Sequence, residues 1–119
     1  MKAVVVVGFL ASICAGGAAN AAPEWTGKWA FDLAWCSNTA ETTDAVPIFL
    51  TDTELAGYEN TCDIINHEPL VVDGGYLLNL SCSAEGETFD ENMLVLVEGG
   101  NTLFLYREGP SMTKFKRCE

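Results

Sequence analysis

After residue 24 the chain becomes a succession of short apolar runs separated by glycine, asparagine and acidic residues. Residues 25–31 are aromatic-rich and predict a first strand, with Gly27 at a bulge or a close-approach position. Residues 32–36 read as one capped helical turn, because the side chain of Asp32 can accept from the free amides of the turn it opens. Residues 37–45 are polar and turn-like. Residues 46–51 predict a short strand with Pro47 at an edge or a start, and residues 52–60 a loop or a single helical turn. A strand over 62–68, extended past Pro69 by Leu70, Val71 and Val72, leads to a hairpin turn at Asp73-Gly74-Gly75. In residues 76–83 the alternation is clear: Leu78, Leu80 and Cys82 share one face, and Asn79, Ser81 and Ser83 the other. Glu85-Gly86-Glu87 is a turn, 93–98 and 102–107 form a hairpin joined by Gly99-Gly100-Asn101, and 112–118 closes the chain.

No apolar stripe at helical spacing persists for three turns, so no long helix is predicted. About seven to eight short strands with glycine-marked turns are the pattern of a small all-β domain, an antiparallel barrel or sandwich. The 93–107 hairpin carries a further implication. With Gly99 and Gly100 centring the turn, Leu96 lies opposite Leu103, Leu94 opposite Leu105, Val95 opposite Phe104 and Met93 opposite Tyr106. Both faces are then apolar, whereas an antiparallel sheet commonly keeps one face polar. Either other parts of the chain cover the second face, or it is a docking surface or ligand pocket.

Residues 1–21 do not belong to this pattern. Lys2 is followed by an almost wholly apolar run to Ala15, and Ala19-Asn20-Ala21 has the small-x-small form of a signal-peptidase site. The run is too short for a permanent membrane anchor. The reading is a secretory signal, residues 1–21, followed by one domain, residues 22–119, in the periplasm or outside the cell. Cys14 raises a lipoprotein alternative, against which stands the branched Ile13 where a small residue is wanted.

Export gives meaning to the cysteines. Beyond the signal lie Cys36, Cys62, Cys82 and Cys118, an even number in a domain of small size, which implies two disulfides. A zinc site would want closely spaced Cys or His pairs; the only histidine is His67. Of the three possible pairings, Cys36–Cys118 with Cys62–Cys82 suits the topology. Cys62 and Cys82 flank the 73–75 turn and both point inward, some three residues off direct opposition, which a bulge near Pro69 can absorb. Cys36 and Cys118 then tie first and last strands together. Trp25, Trp29 and Trp35 are expected to cluster at the base of the sheet, with Trp29 inward.

Charge narrows the partners. With Lys2 removed, five cations face 17 acids, a formal charge of −12. Nucleic acid is excluded, since phosphate binding is carried by Lys and Arg, and no membrane span follows the signal. Four of those cations, Arg107, Lys114, Lys116 and Arg117, sit near the C-terminus. They either neutralise neighbouring acidic strands or leave a strongly acidic face that steers a basic partner. Nucleophile elbows, zincin helices, phosphate loops and dinucleotide fingerprints are all missing. His67 reads as a surface residue at a strand end, and Glu85/Glu87 and Asp90/Glu91 as carboxylates on solvated turns. No cofactor, metal or catalytic residue is predicted.

Gly27-Lys28-Trp29 resembles the G-x-W signature of lipocalins and other calycins. The resemblance implies an antiparallel barrel with this Trp across its closed end and a late arginine, Arg117 or Arg107, stacked on it. In size the domain is nearer the calycin-like bacterial inhibitors of secreted metalloproteases, which act through a segment preceding the barrel; here only Ala22-Pro23-Glu24 occupies that place. The order Gly27-x-Trp29-Ala30, Cys36, Gly57-Tyr58-Glu59-Asn60-Thr61-Cys62, Cys82 to Glu87 and Arg117-Cys118 is also similar to small exported bacterial four-cysteine proteins without an assigned activity.

The expected function is therefore a non-enzymatic binding module whose partner is a basic protein, with inhibition of a basic hydrolase such as lysozyme or a protease as its role. The alternative is a carrier of a small apolar ligand inside a barrel. Candidate contacts are Tyr58 and Glu59 before Cys62, Glu85 and Glu87 after Cys82, and Phe104 and Tyr106 on the hairpin. Tyr58 as a plug and Glu59 as a backbone cap are the structural alternatives at those two positions.

Overall fold

A computed structural model describes residues 22–107 and 112–119. The signal-peptide reading and Cys14 lie outside the described residues. The elements are β1 (Gly27–Ala30), a 3-10 turn (Leu33–Trp35), β2 (Ile48–Leu50), β3 (Glu54–Gly57), β4 (Asn60–Pro69), β5 (Gly75–Ala84), β6 (Glu87–Glu98), β7 (Thr102–Tyr106) and β8 (Thr113–Arg117). Each strand pairs antiparallel with the next, and β8 returns to β1 through Trp29↔Arg117 and Ala30↔Lys116, closing an eight-stranded barrel. The all-β expectation holds and its barrel form is the one adopted. Asp32 caps the 3-10 turn, its Oδ1 accepting from Ala34 N–H at 2.9 Å.

Three stretches depart from the sequence expectation. Residues 54–57 are strand β3 rather than loop, paired on both sides with Leu55 buried inward. A strand with a single inward apolar residue has no local periodicity to reveal it. Residues 70–74 form a wide turn instead of prolonging β4, so pairing starts at Pro69↔Tyr76. The bulge lies at Ile65, between Ile64 and Asn66, and not near Pro69. Together these place Cys62 directly opposite Cys82, removing the expected offset. The third is the start of β6 at Glu87. Its polar first half is held extended by an unbroken ladder to β5, from Ala84↔Glu87 to Gly75↔Leu96.

The β6–β7 register is one residue from the expected one: Leu94↔Tyr106, Val95↔Leu105, Leu96↔Phe104 and Val97↔Leu103. The connection has three residues, with Gly99 and Gly100 both at positive φ (64° and 80°), rather than being centred on the two glycines. Since side chains alternate, a one-residue slip regroups the pairs. Met93, Val95, Val97, Leu103 and Leu105 point inward and are buried, while Leu94, Leu96, Phe104 and Tyr106 line the outside.

The inward residues join Leu50, Ile64, Leu78 and Leu80 around Trp25 and Trp29, and side chains fill the barrel. Trp29 points inward as expected. Trp35 stays apart from the other two tryptophans. It is held on the 3-10 turn against the exposed Phe31, ring centroids 5.7 Å apart, because the strand ends at Ala30 and the chain leaves the sheet. Both expected disulfides, Cys36–Cys118 and Cys62–Cys82, are formed.

Candidate binding surfaces

One end of the barrel is shut by a structural knot. Trp29 Nε1 donates to the carbonyl of Trp25 at 3.0 Å. The guanidinium of Arg117 lies over the Trp29 ring, 4.2 Å from its centre, and donates to the carbonyls of Thr26, Glu24 and Gly100 at 2.9, 2.9 and 2.7 Å. Arg117, and not Arg107, is therefore the arginine stacked on the tryptophan. Gly27 makes room for it: at φ 137° a Cβ would stand 2.5 Å from Arg117 Nη1. Gly27→Ala is expected to cost about 1–3 kcal/mol from backbone strain and displacement of the guanidinium. A urea titration of the variant checks this, and an unchanged midpoint would show that the close approach carries no energy.

The opposite end carries the expected acidic contacts. Gly57 pairs with Asn60, Asn60 with Ala84 and Ala84 with Glu87, so the β3–β4 and β5–β6 turns are neighbours. Glu59 and Glu85 line an open cleft of about 280 Å³ there, and Tyr58 and Glu87 sit at the same two turns without lining it. Glu59 (φ 55°) and Glu85 (φ 52°) are the non-glycine residues at positive φ among the described residues. Glu85-Gly86 has positive φ at both central positions, as a two-residue hairpin of the I′ kind requires. Tyr58 is exposed and does not plug the barrel.

The Tyr58 phenol is raised above its ordinary 10.0, first by the charge of Glu59, then by burial, by the charge of Asp44 and by a hydrogen bond with Glu59. Removing a negative neighbour stabilises the phenolate, so Glu59→Gln should bring the Tyr58 titration down toward 10.0. NMR of the Tyr58 ring against pH measures it; a titration that does not move would mean that Glu59 is turned away in solution.

Phe104 and Tyr106 lie elsewhere. Tyr106 pairs with Leu94, seven residues along β6 from Glu87, about 23 Å at the usual strand rise. They join Leu94 and Leu96 with Leu70, Val72 and Met112 in an apolar groove of about 360 Å³ on the outer wall. The second apolar face of the hairpin is thus an open groove, and the expected contact residues divide into two separate surfaces.

The sequence reading missed the pair that stiffens the middle of this wall. Glu91 is not on a turn: it lies in β6 and takes a two-pronged ion pair from Arg107, through Nε and through Nη2 at 2.7 Å. Asp90 lies in the same strand, on the other face by alternation. Only the register, which sets Arg107 one step past the last β6–β7 pair, reveals the partnership. His67 is exposed in β4 near its end, with Trp25 edge-on to it at 5.4 Å. Among the described residues no three or more His, Cys, Asp or Glu side chains are grouped to hold a metal ion, and no helix is long and apolar enough to cross a membrane.

Fold and surfaces together define a small, disulfide-stapled, side-chain-filled antiparallel barrel with an acidic end and an apolar outer groove. No protein-family model, no curated protein and no solved structure matches the chain.

Proposed function

We propose that the protein is an exported, non-enzymatic binding module that docks on a basic protein, with inhibition of a basic hydrolase such as a lysozyme or protease as its role. The observation that carries this reading is the filled barrel: apolar and acidic recognition surfaces lie outside a core packed with side chains. A carrier would want an enclosed apolar volume, and the interior volume is taken by residues such as Trp25, Trp29 and Leu78. The two disulfides suit an oxidising compartment, which agrees with export. The calycin-like architecture belongs to the same proposal, supported by the Trp29–Arg117 stack.

Electrostatic steering gives the test. With five cations against 17 acids in residues 22–119, association with a basic hydrolase should be fast at low salt. It should slow as the Debye length contracts toward about 8 Å at physiological ionic strength. Glu85→Lys/Glu87→Lys should slow it further. Stopped-flow or surface binding against lysozyme and against envelope fractions measures this. If the purified domain binds no envelope protein at low salt yet extracts an apolar small molecule from lysate, the carrier replaces the binding module.

A further inference from the structure

Among the described residues, strand β6 is paired over most of its length on one side and over much less on the other. Against β5 its ladder runs without a break from Glu87 to Leu96. Against β7 it pairs only from Leu94 to Glu98. Between Glu87 and Met93 the far side of β6 meets no strand among the described residues. One bond orients the backbone there: Val97 N–H donates to the carbonyl of Gly74, on the β5 side, at 2.9 Å. In an extended strand the N–H and C=O of one residue point the same way, and successive residues alternate. Odd-numbered residues of β6 therefore bond β5, and Thr88 and Asp90 turn both groups outward.

Strand β4 also outruns its partner, β3, which it leaves at Asp63. That edge is blunted by the bulge at Ile65, by Pro69, which has no N–H, and by Trp25 packed on His67. The β6 edge has no bulge, no proline and no lysine between Glu87 and Met93. An open cleft of about 380 Å³ runs beside it, lined by Phe89, Asp90, Glu91 and Arg107, and Phe89 is 42% exposed.

Charge selects the occupant. Asp90 is itself an open position and Glu87 precedes the other, Thr88, with Glu85 in the adjoining turn, while Glu91 is taken by Arg107. A second copy of this strand would set acid against acid, which destabilises a cross-strand pair. We infer that the edge of β6 at Thr88 and Asp90 accepts an extended basic segment of a partner protein as an added strand, its Lys or Arg side chains on the face of Asp90 and its apolar side chains on the other face, covering Phe89. Main-chain bonds supply affinity and the acids supply selectivity. The inference rests on the binding-module reading and names the chemistry of its partner.

The probe is an acetylated, alternating lysine–valine peptide of about six residues, a typical strand length, against the same peptide with every backbone nitrogen methylated. The methylated peptide keeps the charge and loses every ladder donor. By NMR-detected hydrogen exchange at low salt, Thr88 and Asp90 amides should slow about tenfold or more on binding the first peptide, and the second should bind about tenfold more weakly or worse. Asp90→Pro should abolish binding with little change in melting temperature, because the lost N–H faces outward; Thr88→Pro serves if that variant does not fold. Equal binding of the two peptides, or unchanged exchange at Thr88 and Asp90, overturns the edge. Salt-sensitive binding to a basic hydrolase with those amides unprotected overturns the edge alone and leaves the binding module standing. Absence of any binding at low ionic strength overturns both.

Discussion

Trp29→Ala is expected to lower the unfolding free energy by about 3–5 kcal/mol, the range for deleting a large buried ring and leaving its cavity. Trp29 has no exposed surface, and it is where several supports of the closed end meet. Its ring carries the Arg117 guanidinium, and its indole N–H is the donor to Trp25 O. With the ring gone, Arg117 keeps its three carbonyl bonds but loses the surface that orients it. For a domain of this size each kcal/mol corresponds to about 4–8 °C in melting temperature, and total stability is commonly about 5–15 kcal/mol. The variant should therefore melt well below the wild type. Trp29→Phe, which keeps most of the ring and loses the N–H, should lose less than half as much. A near-neutral Trp29→Ala melting curve would mean that the tryptophan–arginine stack is incidental to the fold.

The second large effect is the loss of Cys36–Cys118. Its sequence separation is 82, against 20 for Cys62–Cys82. Loop-closure entropy then assigns about 4.5 kcal/mol to the first and about 3.3 kcal/mol to the second. The long bridge also joins the 3-10 turn to the residue after β8, next to the strand pair that closes the barrel. Cys36→Ala/Cys118→Ala should thus be the more destabilised double variant in urea. The opposing consideration is packing: Cys62 and Cys82 belong to the core cluster, so replacing them also opens space inside. If the Cys62/Cys82 variant proves the less stable of the two, core packing rather than chain entropy governs the disulfides here.

Much of the architecture was legible beforehand because local physics is strong where alternation is clean. Leu78, Leu80 and Cys82 fall on one side of β5 by strand periodicity alone. The glycines at 74–75, 86 and 99–100 mark connections between strands, and Asp32 caps its turn. Four cysteines in a short domain, combined with a hairpin between two of them, point to the pairing that is observed. What escaped was weakly patterned locally. Strand β3 has one buried apolar residue, and the first half of β6 is nearly all polar, so neither carries a period. Each is extended only because a long neighbour offers its backbone groups a ladder.

The candidate surfaces divide the same way. From the sequence alone come the antiparallel all-β class, the two cross-links, the inward tryptophan, the excess of acid and the double-faced hairpin. Composition and alternation dictate these without reference to distant residues. That the sheet closes into a barrel was decided by the β1–β8 pairing. The three-dimensional arrangement decided which hairpin residues face inward, because one extra residue in the 99–101 connection shifts the register and alternation carries the shift along both strands. It set Arg107 on Glu91, kept Trp35 away from Trp25 and Trp29, and separated Phe104 and Tyr106 from the acids at residues 59 and 85. Among the described residues it also left β6 without a strand on one side between Glu87 and Met93, since the pairs with β7 begin at Leu94. Those outcomes depend on strand length and register against partners far along the chain, which no local pattern encodes.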